Sequence, residues 1–269
     1  MKTRLAVFTV MATCAIAFLA LPVFSQQTSD RGFLAGKKFD LNGPTPRLAN
    51  GKPDLTGVWD RPAIQDITRP MNSEGMTFVP EPTLPFTDWG KKQWESHDPK
   101  NDYVGACLPY GFPRAIVARH PMQLLQHNDF IGFLFEQNGW FTVVSTDGRP
   151  HPKDAMDNPS WFGHSVGRWE GDTLVIDTVG LNGFTKLDTV GHPLSAQGHL
   201  VQRITRTKFG RIDYEMIVDD PKTYTRPLKL VHTWVLRPEW EIMEYSCAEG
   251  NLELLQTGII KWSRPADVE

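Results

Sequence analysis

From Met122 onward polar and apolar residues alternate in short runs, the two-residue period of strands whose two faces meet different surroundings. Ile212, Tyr214, Met216 and Val218 share one face, and Asp213, Glu215 and Asp219 share the other. Leu228, Leu230, His232, Trp234 and Leu236 form a second apolar face, and Met243, Tyr245 and Cys247 a third. In Thr173 to Val179 both faces are apolar, with Asp177 in line with Val175 and Val179, which predicts a strand covered on both sides.

Turn residues punctuate these runs. Asn128-Asp129, Asn138-Gly139, Glu170-Gly171, Gly210 and Pro238-Glu239-Trp240 each separate two strand-like segments. The pattern predicts about nine or ten strands in consecutive hairpins and no helix long enough for a crossover. The expected fold is all-β, an antiparallel up-and-down barrel of the calycin or lipocalin kind, because closure removes exposed strand edges. A two-sheet β-sandwich is the alternative.

Before residue 121 the periodicity fades and prolines multiply. Residues 26–120 read as an arm packed on the barrel domain of 121–269, with one strand in Asp54–Asp60. A short helix is expected over Trp89–Ser96, capped by Thr87-Asp88. At the start, Lys2 and Arg4 precede an apolar run that ends in Val23-Phe24-Ser25, so residues 1–25 read as a signal peptide rather than a membrane anchor. The protein is therefore expected to be exported, periplasmic or secreted.

Removing that segment leaves 26 basic against 31 acidic residues, a net charge of −5. A mildly acidic chain with no basic block has no electrostatic footprint for nucleic acid. Cys14 leaves with the signal, and Cys107 and Cys247 remain, which in an oxidising compartment predicts one disulfide. Two buried free thiols are the alternative. The sequence carries no sign of the oligomeric state.

The candidate chemistry gathers between Ser145 and Val179. His151 stands between Pro150 and Pro152, which restrict the backbone on both sides of it, and Asp147-Gly148 supplies a turn just before. Rigid presentation beside Asp147 and Arg149 suits a general acid or base; a surface loop histidine is the plainer alternative. His164 follows Gly163 at a strand start, and Asp177 and His232 are placed to face a lumen. His232, Trp234, Tyr214 and Tyr245 are the expected ligand-binding side chains, although a histidine on an apolar face is commonly just hydrogen-bonded core. Glu170 and Asp172 are explained by their hairpin turn. Gly163-His164-Ser165-Val166-Gly167 matches G-x-S-x-G but leads into a β hairpin, where a nucleophile elbow does not form. His192 and His199 raise the question of a metal, yet no spacing matches a metal motif, and neither metal nor cofactor is expected.

The strings RLANGKPDLTGVW, CLPYGFPR, TDGRPHP, GHSVGRWEGDTLVIDTVG and DDPKTYTRP span most of residues 47–250. With them the chain resembles a large group of exported bacterial proteins, mostly uncharacterised, that share this block order. The resemblance implies that His151, His164, Asp147 and Asp177 occupy motif positions and that both cysteines belong to the pattern. This chain departs at GHPLS, where such proteins often carry histidine at the position of Leu194. The expected function is cofactor-free acid–base chemistry on a small apolar or aromatic molecule, as a lyase, isomerase or hydrolase. His151 or His164 would move the proton, an aspartate would orient the imidazole, and Arg149 or a tyrosine would hold an oxyanion. The alternative is a periplasmic binder or carrier of a small hydrophobic ligand without turnover.

Overall fold

The computed structural model describes residues 36–73 and 75–259; the expected signal peptide of residues 1–25 lies outside them. The alternation seen in the sequence becomes a sheet of eleven strands, nine of which close into a barrel. In chain order these are β1 (Gly57–Asp60), β2 (Met71–Ser73), β3 (Met76–Val79), β4 (Met122–Gln126), β5 (Phe130–Phe135) and β6 (Phe141–Ser145). They continue with β7 (His164–Glu170), β8 (Thr173–Val179), β9 (His199–Lys208), β10 (Arg211–Asp219) and β11 (Leu228–Leu236). Three short helices accompany them, α1 (Asp88–Glu95), α2 (Arg114–Val117) and α3 (Cys247–Gln256). Among the described residues no helix is long and apolar enough to cross a membrane.

β1 closes the barrel. Trp59 pairs with Met122 of β4 on one side and with Leu236 of β11 on the other. The proline-rich stretch is thus more than a covering arm, because this segment of it is a stave. The boundary drawn at residue 121 falls inside the barrel for this reason. β3 pairs with β11 further along the same edge, at Val231 and His232, and carries β2 outside the closed ring. Arg47 grips Asp172 at the β7–β8 hairpin tip with bonds of 2.9 and 2.6 Å, and Thr87 caps α1 through the Gly90 amide, the cap the sequence predicted.

Two expectations are corrected. The barrel is mixed rather than strictly antiparallel, since β6 meets β7 in parallel through Ser145 and Val166. Residues 146–163 form a long connection that returns the chain to the end where β6 began, so β7 runs the same way. The second concerns Glu241–Cys247, expected as a last strand. It is unpaired, and Cys247 instead opens α3. One edge of β11 is filled by β10 and the other by β1 and β3, so no edge is left for a following hairpin partner.

The interior is filled by side chains. Trp59, Phe133, Leu174, Ile176, Leu200, Ile204, Ile212, Leu230 and Trp234 belong to one buried cluster, each at 0 or near 0% exposure. Burying each such side chain contributes roughly 1.5–3 kcal/mol. Tyr214 stacks on Trp234 with ring centroids 4.8 Å apart, and its hydroxyl donates to Gln202 Oε1 at 2.8 Å. His232 lies against both rings and its Nδ1 accepts from Trp234 Nε1 at 3.0 Å. Burial, helped by the charge of Arg61, pushes the His232 imidazole down to about 3, so it stays neutral in the folded protein.

Cys107 and Cys247 are bonded, with Cα atoms 5.6 Å apart across 140 residues of sequence. The bond anchors α3, none of whose residues is buried and which otherwise holds on through Asn251 Nδ2 to the Gly105 carbonyl at 3.3 Å. A loop of this size corresponds to about 4–5 kcal/mol of unfolded-state entropy, and removing such a bond typically costs about 2–5 kcal/mol. Replacing both cysteines by serine is expected to lower the urea-unfolding free energy by about 2–5 kcal/mol. It should also expose α3 to limited proteolysis while the barrel stays intact. An α3 that remains protected without the bond contradicts this account.

Candidate functional site: a shared carboxylate on the outer wall

Strands β7, β8 and β9 are adjacent, and their inward residues are Ser165 and Gly167, Leu174, Ile176 and Thr178, and Leu200, Gln202 and Ile204. The residues between them face outward: His164 and Val166, Val175, Asp177 and Val179, and His199 and Val201. Register sets Asp177 opposite Val166 on one side and Val201 on the other, with His164 opposite Val179. Asp177 is therefore on the outer wall rather than in the lumen expected for it, and it does not meet His232. With both faces of β8 apolar, alternation alone did not say which one points inward.

The connection 147–163 folds back over this wall and delivers His151. Asp147 ties the turn by accepting from the Arg149 amide at 3.1 Å and from its guanidinium Nε at 2.8 and 2.9 Å. Pro150 and Pro152 then hold His151. Past it, the chain crosses β8 so closely that a Cβ at Gly180 would lie 2.2 Å from the Ala155 carbonyl oxygen, at a φ of +70°. Gly163, at φ +67°, lets the chain pass beside the Val179 carbonyl, where a Cβ would come within 2.5 Å. These two glycines permit the loop to lie flat on the strand that carries Asp177.

The result is a chain of four polar side chains. Asp177 Oδ1 lies 2.9 Å from His151 Nε2 and its Oδ2 lies 2.8 Å from His199 Nε2. His151 Nδ1 lies 2.7 Å from His164 Nδ1. An ionised carboxylate only accepts, so both Nε2 atoms donate to Asp177. Neutral His151 then presents a lone pair at Nδ1 and receives the Nδ1 proton of His164. That leaves His164 Nε2 with a free lone pair, and this atom bonds to no described residue.

The electrostatics agree. Burial raises the Asp177 carboxyl, but the hydrogen bonds and charges of His199 and His151 outweigh it and hold the group below the usual aspartate value. Burial lowers the His164 imidazole, and the charges of His151 and Arg149 lower it further against a small opposing pull from Asp154. Val166, Val179 and Val201 are half-buried around the carboxylate and Val175 is fully buried, so the chain of polar groups stands on an apolar floor.

Of the residues singled out in the sequence, His151, His164 and Asp177 come together. Asp147 and Arg149 pair with each other, and Arg149 reaches the imidazoles only through its charge. His232, Trp234 and Tyr214 form one stacked group inside the barrel, whereas Tyr245 lies apart, edge-on to His120 and 37% exposed. Ser165 faces inward and bonds Thr178, away from the imidazoles. His199 is the member that sequence reasoning missed as a site residue. Only the pairing of β8 with β9 reveals it, through outward alternation on neighbouring strands.

Asp66, Asp188 and His192 form a further group with metal-ligand atoms close together. Asp188 accepts from the amides of Ile67, Gly191 and His192 and from His192 Nδ1, the last at 2.6 Å. His192 stacks on Trp94 with centroids 4.1 Å apart. These bonds fasten the loop before β9 to the segment that leads into β2, which accounts for the group as a structural tie.

Fold and site together define a mixed nine-stranded β-barrel protein with a histidine–aspartate cluster on its outer wall. No protein-family model matches the chain, and no curated protein matches it.

Gly180→Ala is expected to lift the 147–163 connection off β8 and destabilise the protein by about 1–3 kcal/mol. Loss of the His151–His164 contact in imidazole NMR, with the barrel core signals retained, is the accompanying sign. An unchanged contact contradicts the docking described here.

Proposed function

We propose that the protein is an exported enzyme that moves a proton on a small apolar or aromatic molecule by cofactor-free histidine–aspartate chemistry, as a lyase, isomerase or hydrolase. The observation that carries the reading is the chain Asp177–His151–His164, which ends in an unpartnered nitrogen. His164 Nε2 takes a proton from substrate while the Nδ1 proton of His164 passes to His151 Nδ1. The positive charge then rests on His151, against the Asp177 carboxylate, and the reverse transfer returns the proton. His199 holds the second carboxylate oxygen, so Asp177 keeps its orientation through the cycle. The valine floor supports an apolar substrate face, and the disulfide agrees with an oxidising compartment outside the cytoplasm.

The test is deuterium incorporation from D2O into aryl ketones bearing an acidic C–H, followed by NMR. His164→Ala and His151→Ala are each expected to slow exchange by about 10²–10⁴-fold. His164→Ala should leave thermal stability nearly unchanged, because its ring is outside the core, whereas His151→Ala also strips Asp177 Oδ1 of its donor and should lower stability. His164 must be neutral to act, and its proton affinity lies below the ordinary value of 6.5. Exchange should thus be level above pH 6.5 and fall only below it. Arg149→Gln should move that acidic limb upward, since a cation that opposes protonation is removed. Binding without exchange in the wild type supports a carrier, and exchange that survives both histidine substitutions removes the assignment.

A further inference from the structure

We infer that His151 and His164 together form a chelating site for a transition-metal dication, with Cu(II) the best fit, through their facing Nδ1 atoms. The geometry comes first. The two Nδ1 atoms lie 2.7 Å apart. With metal–nitrogen bonds of about 2.0 Å, neighbouring ligands sit about 2.8 Å apart in a square arrangement and about 3.3 Å apart in a tetrahedral one. The observed spacing reaches the square arrangement with a shift of roughly 0.1 Å, and that arrangement is the one Cu(II) prefers.

The second observation is the support behind the pair. A metal-binding histidine usually donates its other ring N–H to a carboxylate, which fixes its tautomer and raises its basicity. His151 does this to Asp177 at 2.9 Å, and Asp177 is itself held by His199 at 2.8 Å. Neutral His151 therefore carries its lone pair at Nδ1. If the His164 proton sits on Nε2, both Nδ1 lone pairs are free, and a metal ion set to one side of the line between them can accept both.

The third is charge and access. Asp177 and Asp154 bring negative charge to the pair, and Arg149, the nearby cation, is held in an ion pair with Asp147. Both rings are half-buried on the outer wall, so the remaining coordination positions are open to water. Metal binding moves the His164 proton from Nδ1 to Nε2, with no change in the charge of either ring. Cu(II) thereby occupies the His151 Nδ1 lone pair and leaves a proton on His164 Nε2, so neither acceptor of the proton relay stays free. Inhibition of proton transfer by Cu(II) rests on the acid–base reading above; the binding itself does not.

The experiment titrates the folded mature protein with Cu(II) sulfate and reads affinity by competition with a chelator and nitrogen count by EPR. One site with two imidazole nitrogens is expected. His164→Ala should lose one nitrogen and at least about 100-fold in affinity, and Asp177→Asn about 10–100-fold. Should a variant misfold, a wild-type measurement decides: trace Cu(II) must broaden the His151 and His164 imidazole signals before those of His127, the exposed histidine of the β4–β5 turn. An affinity unchanged by both His151→Ala and His164→Ala, or broadening that begins at His127, overturns the inference. Tight two-nitrogen binding with no effect on proton exchange leaves the metal site standing and removes the acid–base reading.

Discussion

Closure of the barrel by Trp59 is the constraint on which the other features rest. β1 has four residues, yet it is hydrogen-bonded on both edges and carries a fully buried indole whose N–H donates to the Leu55 carbonyl at 2.9 Å. With that stave in place every barrel strand has neighbours on both sides, and the curvature of the wall is fixed. Curvature in turn decides how far β7, β8 and β9 splay on their outer faces. The pairing of β8 with β9 brings His199 to Asp177, and the 147–163 connection brings His151 between Asp177 and His164.

On this wall a single carboxylate organises three imidazoles. An isolated ionised aspartate on an apolar floor carries a desolvation cost, and two N–H donors offset it. Because both oxygens are engaged, neither His151 nor His199 can turn without leaving an oxygen unpaired. Orientation is thus passed outward, from Asp177 to His151 and from His151 to His164, which has the greatest freedom at its far nitrogen. The position of Arg149 adds a long-range influence: bound to Asp147, it cannot reach the imidazoles, but its charge still disfavours a proton on His164. The filled interior, with Tyr214, His232 and Trp234 stacked and His232 kept neutral, serves as the rigid backing for the wall.

Much of this was legible in the sequence. Alternation and turn residues located the strands from Met122 to Leu236, the Thr87 cap located α1, and two cysteines located the disulfide. His151, His164 and Asp177 stood out because prolines, a glycine and an apolar strand framed them. The remainder depended on pairing, which periodicity does not carry. Val175 and Val179 alternate with Leu174, Ile176 and Thr178, so either set can face the core, and only the neighbouring strands choose. His199 joined the site through a register that places it one strand away and 22 residues on. Glu241–Cys247 has a strand pattern but finds no free edge on β11, and β1 is too short to announce itself as the closing stave.

The central claim is that Asp177 fixes the tautomers of the chain so that His164 presents a lone pair at Nε2. Long-range ¹H–¹⁵N correlation of the imidazole nitrogens, in wild type and in Asp177→Asn at neutral pH, tests it directly. The account predicts a proton on Nε2 of His151 and on Nδ1 of His164 in the wild type, with His164 Nε2 bare, and loss of that order in Asp177→Asn. A wild-type His164 protonated at Nε2, or a pattern unchanged by Asp177→Asn, contradicts it.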